Sequence, residues 1–411
     1  MHNTLFILII AFVLFDFIFE KILDYLNYRN LSDAIPNELI GIYDEEKYSK
    51  SQQYEKVNAK FELISSSFSF ALILIMLFSG GFGLLDEWVR AVSGNIYLRT
   101  LLFFGVLGIA ADLLSLPFQL YHVFVIEEKF GFNKMTVSTF IFDKLKSWGL
   151  GIVLGGGIIS FILWAWLSTG NWFFIIVLGG LAAFMVFMAM FYTQLIVPLF
   201  NKQSPLEEGE LRSAINEFAL KTGFKLANVF IIDGSKRSTK ANAYFSGLGP
   251  KKRIVLYDTL LNDLKTDEIV AVLAHEIGHY KKKHIYKGMI MSILQSALMI
   301  WLLSLAIGRP ELSEALGGSE PSFYLGLVAF GLLFSPISFI TGIISNLISR
   351  KHEYEADAFA AKYQLGRSLI NGLINLSVNN LSNLAPHPLY VFFNYSHPTL
   401  LQRKKAIDEK E

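Results

Sequence analysis

Seven stretches of this chain are each long and apolar enough to cross a bilayer as a helix: about 4–23, 63–85, 101–125, 148–168, 172–197, 286–307 and 323–348. A hydrocarbon core about 30 Å thick takes roughly 20 helical residues. Within it, every backbone N–H and C=O has to find its partner inside the chain. These segments therefore predict an all-α multi-pass membrane protein with seven transmembrane helices. Composition agrees, since 53% of the 411 residues are hydrophobic and only 17% are charged, where soluble domains carry about a quarter. The 36 basic and 35 acidic side chains leave a net charge of +1, which excludes the one-sign field of a nucleic-acid binder. There is no cysteine, so disulfides, thiolate metal ligands and cysteine nucleophiles are excluded, and eight histidines are the softest metal ligands present. The first stretch lacks a Lys/Arg-containing leader and a small-residue cleavage site, and is expected to be a retained span rather than a signal peptide.

Lysine and arginine set the expected orientation. The loop after the first span holds Lys21, Arg29, Lys47, Lys50, Lys56 and Lys60. The loop after the third holds Lys129, Lys134, Lys144 and Lys146, and Arg350 and Lys351 follow the last span. The opposite loops hold Arg90 and Arg99, then no charge, then Arg309 alone. Cytoplasmic loops are the Lys/Arg-rich ones, which puts the N-terminus outside and the C-terminus inside. Two polar segments then share the cytoplasmic side. Residues 199–285 combine an amphipathic helical pattern at 208–222 with β-rich runs at 227–233, 241–247 and 253–258; residues 350–411 begin as helix and pass into a segment with Pro and Asn. Together they predict one small α+β cytoplasmic domain. The chain divides accordingly into 1–198 with five spans, 199–285, 286–349 with two spans, and 350–411. Asp16, Asp112, Pro117, Gln119 and Pro336 fall at membrane depth, and Gly155, Gly156, Gly157, Gly179 and Gly180 allow close helix approach or kinks. Intramembrane acids face a bundle interior or a watery cavity; a packing pair and a cavity lining both fit Asp16 and Asp112.

His275, Glu276 and His279 form an HExxH pattern. Thr266 as N-cap, Asp267 and Glu268 in the first turn, and Lys281, Lys282 and Lys283 after the second histidine predict that it lies on a helix. Residues four apart share a helix face. Both imidazoles can thus meet one zinc ion, with Glu276 placed to act on water at that ion. An amphipathic helix with two surface histidines would carry the same pattern. A catalytic zinc takes three protein ligands and a water. A third histidine six residues on would mark a metzincin, but that position is Ile285, and Lys282 stands where that class has glycine. The other solution is a glutamate on a second helix, backed by a carboxylate one turn later. Glu353 is the expected third ligand, and Asp357 the group that orients a ligand histidine. Glu355 is expected on a solvated face, and His352, about 100° round the helix, is the rival ligand. Two spans separate His279 from Glu353, so both are expected at one membrane surface, where a membrane-anchored substrate would suit.

Further motifs surround these residues. They are Tyr43-Asp-Glu-Glu-Lys47-Tyr-Ser-Lys50-Ser-Gln52, Leu116-Pro-Phe-Gln-Leu-Tyr121 running into Phe124-Val-Ile-Glu127-Glu-Lys-Phe-Gly131-Phe-Asn133-Lys134, Lys240-Ala-Asn242-Ala-Tyr244-Phe-Ser246-Gly and Tyr395-Ser-His397-Pro398-Thr-Leu-Leu-Gln-Arg403. With HExxH and Glu353 they make the chain resemble, over essentially its whole length, the type I CAAX prenyl proteases, which are integral-membrane zinc endopeptidases. The resemblance implies a seven-helix barrel around a large aqueous chamber, with one zinc ion at its cytoplasmic end. It implies removal of the last three residues after a prenylated cysteine, and in some members cleavage at a second, N-terminal site. It also implies that His397 helps to stabilise the tetrahedral intermediate with Arg403 nearby, and that Asn242, Ala243 and Tyr244 belong to an edge strand that pairs with extended substrate. As residues alone, His397-Pro398 reads as a turn, Arg403 as a surface charge and Asn242 as a turn residue between strands.

The expected function is hydrolysis near the C-terminus of prenylated CAAX-type substrates by zinc-activated water with Glu276 as general base. The alternative is a quality-control protease that uses the same chemistry on membrane proteins without a prenyl group. A channel or transporter, prompted by Asp16 and Asp112, would leave HExxH and Glu353 without a use. The expected partners are a peptide or protein substrate and the lipid bilayer, with no nucleic acid, and the expected state is a monomer. The absence of cysteine, the short loop 308–322 and the lack of a retrieval signal after Ile407 favour a bacterial inner membrane over the endoplasmic reticulum.

Overall fold

The computed structural model describes residues 3–32, 34–37, 40–224, 229–248 and 253–410. Five helices among them are long and apolar enough to cross a membrane: Glu45–Phe78, Ile96–Phe130, Val137–Ser168, Gly170–Phe200 and His284–Ala306. The pair Phe323–Leu333 and Ser335–Lys362 makes a sixth when taken as one span, bent by 53°. The protein is a mostly helical, multi-pass membrane protein with five to six apolar spans and a separate polar region. Pro336, at the start of Ser335–Lys362, explains the bend, because a proline ring clashes with the carbonyl four residues back and has no N–H to give.

The expected first span is the helix Thr4–Arg29, capped by the Asn3 side chain, which accepts from the Phe6 N–H. It is not among the five because Asp16, Glu20 and Lys21 interrupt its apolar run. It still lies along the spans. Phe17 stacks on Phe70 with centroids 3.9 Å apart, and Phe15 and Phe19 meet Phe339 edge-on. The two intramembrane acids differ in setting. Asp112 accepts from Lys144 at 2.9 Å, from the Trp148 indole at 2.8 Å and from Gln119 at 3.2 Å, which makes it a packing pair. Asp16 instead lines a cavity of about 420 Å³ together with Glu20, Ser335, Ser338 and Asn394.

The polar region is built on a four-stranded sheet among the described residues: β1 Gln203–Pro205, β2 Val229–Ile232, β3 Ala243–Ser246 and β4 Arg253–Tyr257, in the order β1-β2-β4-β3. Strands β2 and β4 are parallel, and the other pairs antiparallel. β2, β3 and β4 occupy the three β-rich runs, although residues 227 and 228 of the first run lie outside the described residues. β1 had no signal in the sequence, since three residues ending in proline are too few to show alternation. The amphipathic pattern at 208–222 is the helix Glu210–Lys221.

The HExxH pattern lies on the helix Thr266–Lys281. Its N-cap is Lys265 rather than Thr266: the Lys265 N–H donates to the Glu268 carboxylate at 3.0 Å, and that bond moves the helix start back one residue. Ile215, Phe218, Val229, Ile254, Leu256, Leu260, Leu273, Ile277, Leu369 and Ile407 share one apolar core, so segments before His284–Ala306 and after Ser335–Lys362 pack as a unit. Gly278 sits where this helix crosses Ser335–Lys362. A Cβ there would lie 3.0 Å from Phe359 Cβ and 3.1 Å from the Ala356 backbone. Glycine at that position, with Ala356 opposite, lets the two helix backbones approach closely enough for their side chains to converge.

The motif at 43–52 turns out to be a helix start. Asp44 caps Glu45–Phe78 by accepting the Lys47 N–H at 2.7 Å. Tyr43 and Tyr48 are buried against Val378, Leu384 and Leu400, and the Tyr43 hydroxyl donates to the Ser377 carbonyl at 3.0 Å. The loop after the first helix thereby braces the C-terminal segment.

Candidate metal centre

His275 and His279, one helical turn apart, present their Nε2 atoms 3.0 Å from each other. Glu353 enters from Ser335–Lys362 with Oε2 at 3.4 Å from His275 Nε2 and Oε1 at 3.3 Å from His279 Nε2. The three ligand atoms lie within 4.8 Å of one another, with His275 and Glu353 buried and His279 half-buried. A metal ion fits this site. Glu353 Oε2 is buried and makes no hydrogen bond, the Arg403 Nη1 standing 3.7 Å away. A buried carboxylate oxygen without a donor is costly unless a cation completes it. Two imidazoles and one carboxylate are a donor set of catalytic zinc, with one position left open.

Each of the two candidate ligand histidines is held at its other ring nitrogen. His275 Nδ1 is 2.8 Å from Asp357 Oδ1. Burial alone would lower the His275 pKa, but the Asp357 carboxylate bonded to it and the nearby Glu353 carboxylate prevail and push it up to about 9. On the other ligand, His279 Nδ1 meets His284 Nδ1 at 3.0 Å, and His284 Nε2 meets Glu355 Oε2 at 3.0 Å. Glu355 is 31% exposed, as a partly solvated residue should be, and is also engaged, because the Ser335–Lys362 helix runs beside the start of His284–Ala306. His352, the rival ligand, lies outside the trio of His275, His279 and Glu353, with its ring stacked on His284 at a centroid distance of 4.0 Å.

The motif 395–403 is a turn followed by a short helix. Thr399 caps Leu400–Asp408 in a reciprocal capping box with Gln402. This start aims Arg403 inward, where it is 8% exposed. Its Nε donates to Asp357 Oδ2 at 2.9 Å and its Nη2 to Asp357 Oδ1 at 2.6 Å, so it is no surface charge. The neighbouring carboxylates of Asp357 and Glu353 raise the Arg403 pKa further against the effect of burial. Arg403 therefore stands behind His275 and Asp357. His397 stands on the open side, with Nε2 at 3.4 Å from Glu353 Oε1 and a side chain 62% exposed. Glu276 is half-buried next to His275 on the helix.

β3 is the terminal strand among those described, and Asn242 directly precedes it. The Asn242 side chain accepts the Ala243 N–H at 2.8 Å, while its carbonyl accepts from Tyr257 N–H at 3.0 Å. Phe245 lies 5.8 Å from the ring of Tyr280, the residue after His279, so β3 runs beside the HExxH helix. Burial lifts the Tyr244 hydroxyl to about 12, keeping it protonated and available as a donor. Ahead of β3, Lys240 Nζ donates to Glu127 and to the Tyr54 hydroxyl, both at 2.8 Å. That triad ties β3 to the helices Glu45–Phe78 and Ile96–Phe130.

The two halves of the chain match two family descriptions, "CAAX prenyl protease N-terminal, five membrane helices" over residues 24–202 and "Peptidase family M48" over residues 205–411. CAAX prenyl protease 1 of Saccharomyces cerevisiae is 36% identical, over 98% of this chain and 95% of its own length. The chain belongs to the CAAX prenyl protease 1 family of M48 peptidases. The human CAAX prenyl protease 1 homolog is 32% identical over 91% of this chain and 88% of its own. The crystal structure of S. mikatae Ste24p has the same fold, with a TM-score of 0.93 and 37% identity over 99% of both chains. As a CAAX prenyl protease family member the protein is an integral-membrane metallopeptidase. The channel and transporter reading falls away with this.

Sequence reasoning missed His284. Its only signal was a histidine five residues beyond His279, a spacing that points 140° away on a continuous helix.

Proposed function

We propose that this peptidase is a zinc endopeptidase that cleaves near the C-terminus of prenylated CAAX-type proteins at the cytoplasmic face of its membrane, as a monomer with one zinc ion. The observation that carries the reading is the convergence of His275, His279 and Glu353 at the HExxH helix, which runs beside β3, the terminal strand among those described. Zinc, when bound there, supplies Lewis acidity and brings the pKa of water from 15.7 to about 7. The chain's own residues do the rest. Asp357, clamped by Arg403, accepts the His275 Nδ1 proton and so keeps the Nε2 lone pair turned towards Glu353. Arg403 is in this reading a positioning residue, not a group beside the reacting atoms. Glu276 takes the proton from the attacking water and returns it to the leaving amine. His397, on the open side, donates to the developing oxyanion. Asn242, Ala243 and Tyr244 pair with an extended peptide along the β3 edge, an arrangement in which main-chain bonds align the scissile bond.

In the membrane, Thr4–Arg29 would be the seventh span, its acids turned to a shared interior. The cavity at Asp16 and the aromatic seams to Phe70 and Phe339 support a barrel of seven helices around an aqueous chamber. Reporter fusions test the orientation. A reporter after Leu312 should behave as external and one after Lys240 as cytoplasmic; both on one side would end the topology.

Replacing Asp357 by alanine should weaken zinc binding by about 10–100-fold without abolishing it, as loss of a partner behind the ligand does. Chelator competition reads this directly, and unchanged affinity would remove Asp357 from the site.

The function itself is tested by incubating purified protein with a farnesylated CAAX peptide and with its unprenylated copy, with and without a zinc chelator. The expected result is chelator-sensitive cleavage of the farnesylated peptide and far slower turnover of the copy. Equal turnover of both would favour the quality-control reading, and cleavage that survives complete zinc removal would overturn the metal assignment.

A further inference from the structure

The two ligand histidines are held by different devices. His275 leans directly on a carboxylate, whereas His279 reaches one only through a second imidazole. When both rings are neutral and His279 Nε2 offers its lone pair to a metal ion, the protons along that path have one arrangement. With His279 Nε2 facing Glu353 as a lone-pair donor, a neutral ring carries its proton on Nδ1. That proton is donated to His284 Nδ1, 3.0 Å away. His284 then carries its own proton on Nε2 and donates it to Glu355 Oε2, also at 3.0 Å.

The backbone is shaped for this contact. Had the HExxH helix run straight on into the span, His284 would face about 140° away from His279. Instead the helix stops at Lys281, Lys283 adopts the left-handed conformation at φ 59°, and the new helix begins at His284. A lysine in that region is uncommon and strained, and such positions concentrate at functional sites. The turn folds His284 back on His279, where it is 5% exposed. His352 lies flat against its other face, with planes 13° apart, and fixes the ring.

We propose that His284, backed by Glu355, is the positioning residue for the ligand His279, fixing its tautomer and ring orientation. The proposal rests on the reading of His275, His279 and Glu353 as the metal ligands. It makes the junction between the HExxH helix and the following span part of the metal site.

The test measures zinc affinity of the full-length purified protein by competition with a chromophoric chelator, the visible spectrum of the cobalt(II)-substituted protein, and the melting temperature of the metal-free form. His284→Leu should weaken zinc binding by about 10–100-fold and shift the cobalt bands, with the metal-free melting temperature unchanged. His284→Asn, whose amide oxygen can take the place of Nδ1 as acceptor, should restore most of the affinity. Glu355→Gln should weaken binding less, and should add nothing on the His284→Leu background. Wild-type affinity and spectrum in His284→Leu overturn the proposal. So does a fall in metal-free melting temperature that accounts for the lost affinity without rescue by asparagine. Glu353→Ala and His275→Ala separate the two levels: if they retain zinc, the metal-centre reading itself fails, whereas if they lose it while His284→Leu does not, only the role of His284 fails.

Discussion

Glu276→Gln should give a folded, zinc-loaded and nearly inactive peptidase. Glutamine keeps the size and polarity of the side chain on the half-buried face beside His275, so neither the helix nor the ligand set is disturbed. What it loses is the ability to accept a proton. Peptide hydrolysis needs that ability twice, once to take the proton from water and once to return it to the leaving amine. General acid–base help is worth about 10²–10⁴-fold, so turnover of the farnesylated peptide should fall by at least two orders of magnitude. Zinc content measured on the same sample should stay at one ion per chain. Near-normal cleavage with full zinc would remove Glu276 from the chemistry.

Glu353→Ala should lose metal and activity together. The substitution leaves two imidazoles where three ligands are the usual minimum for a catalytic site. It also removes the only carboxylate of the trio, leaving the Arg403 Nη1, formerly 3.7 Å from Glu353 Oε2, without a countercharge on that side. His275→Ala and His279→Ala should behave alike. In His275→Ala the bidentate pair of Asp357 and Arg403 survives, so the polar region keeps its fold. Metal analysis after dialysis should find well under one zinc per chain in all three variants, with a melting profile that shows them folded. Stoichiometric zinc at wild-type affinity in Glu353→Ala would mean that another group is the third ligand, and His397, already 3.4 Å from Glu353 Oε1, would be the first to examine. Set against Glu276→Gln, the pair of phenotypes divides metal loss from proton-transfer loss.

What the sequence determined by itself is whatever depends on local periodicity and on the solvent each segment can enter. Runs of twenty apolar residues can only be membrane helices or core, and the long apolar helices follow from that. HExxH on a helix puts His275 and His279 on one face because 3.6 residues make a turn, and Glu353 and Asp357 share a face for the same reason. The β-rich runs became strands because short stretches of β-branched and aromatic residues such as Val229–Ile232 and Arg253–Tyr257 fit the pleated surface of a sheet.

Only the tertiary structure decided how these pieces meet. Asp357 reaches His275 across 82 residues of sequence and Arg403 reaches it across 128, through a crossing that depends on Gly278 lying against Ala356. The capping box at Thr399 predicts a helix, yet nothing local says that the helix buries Arg403 rather than exposing it. The helix that carries Glu355 says nothing of its partner His284, which comes from another element. The approach of His284 to His279 depends on a left-handed lysine, and a single φ angle leaves no periodic trace. Periodicity fixes which side chains share a face within an element, but the angle between elements is set by the packing of small and large residues at their crossing, and the support of the metal site is built at those crossings.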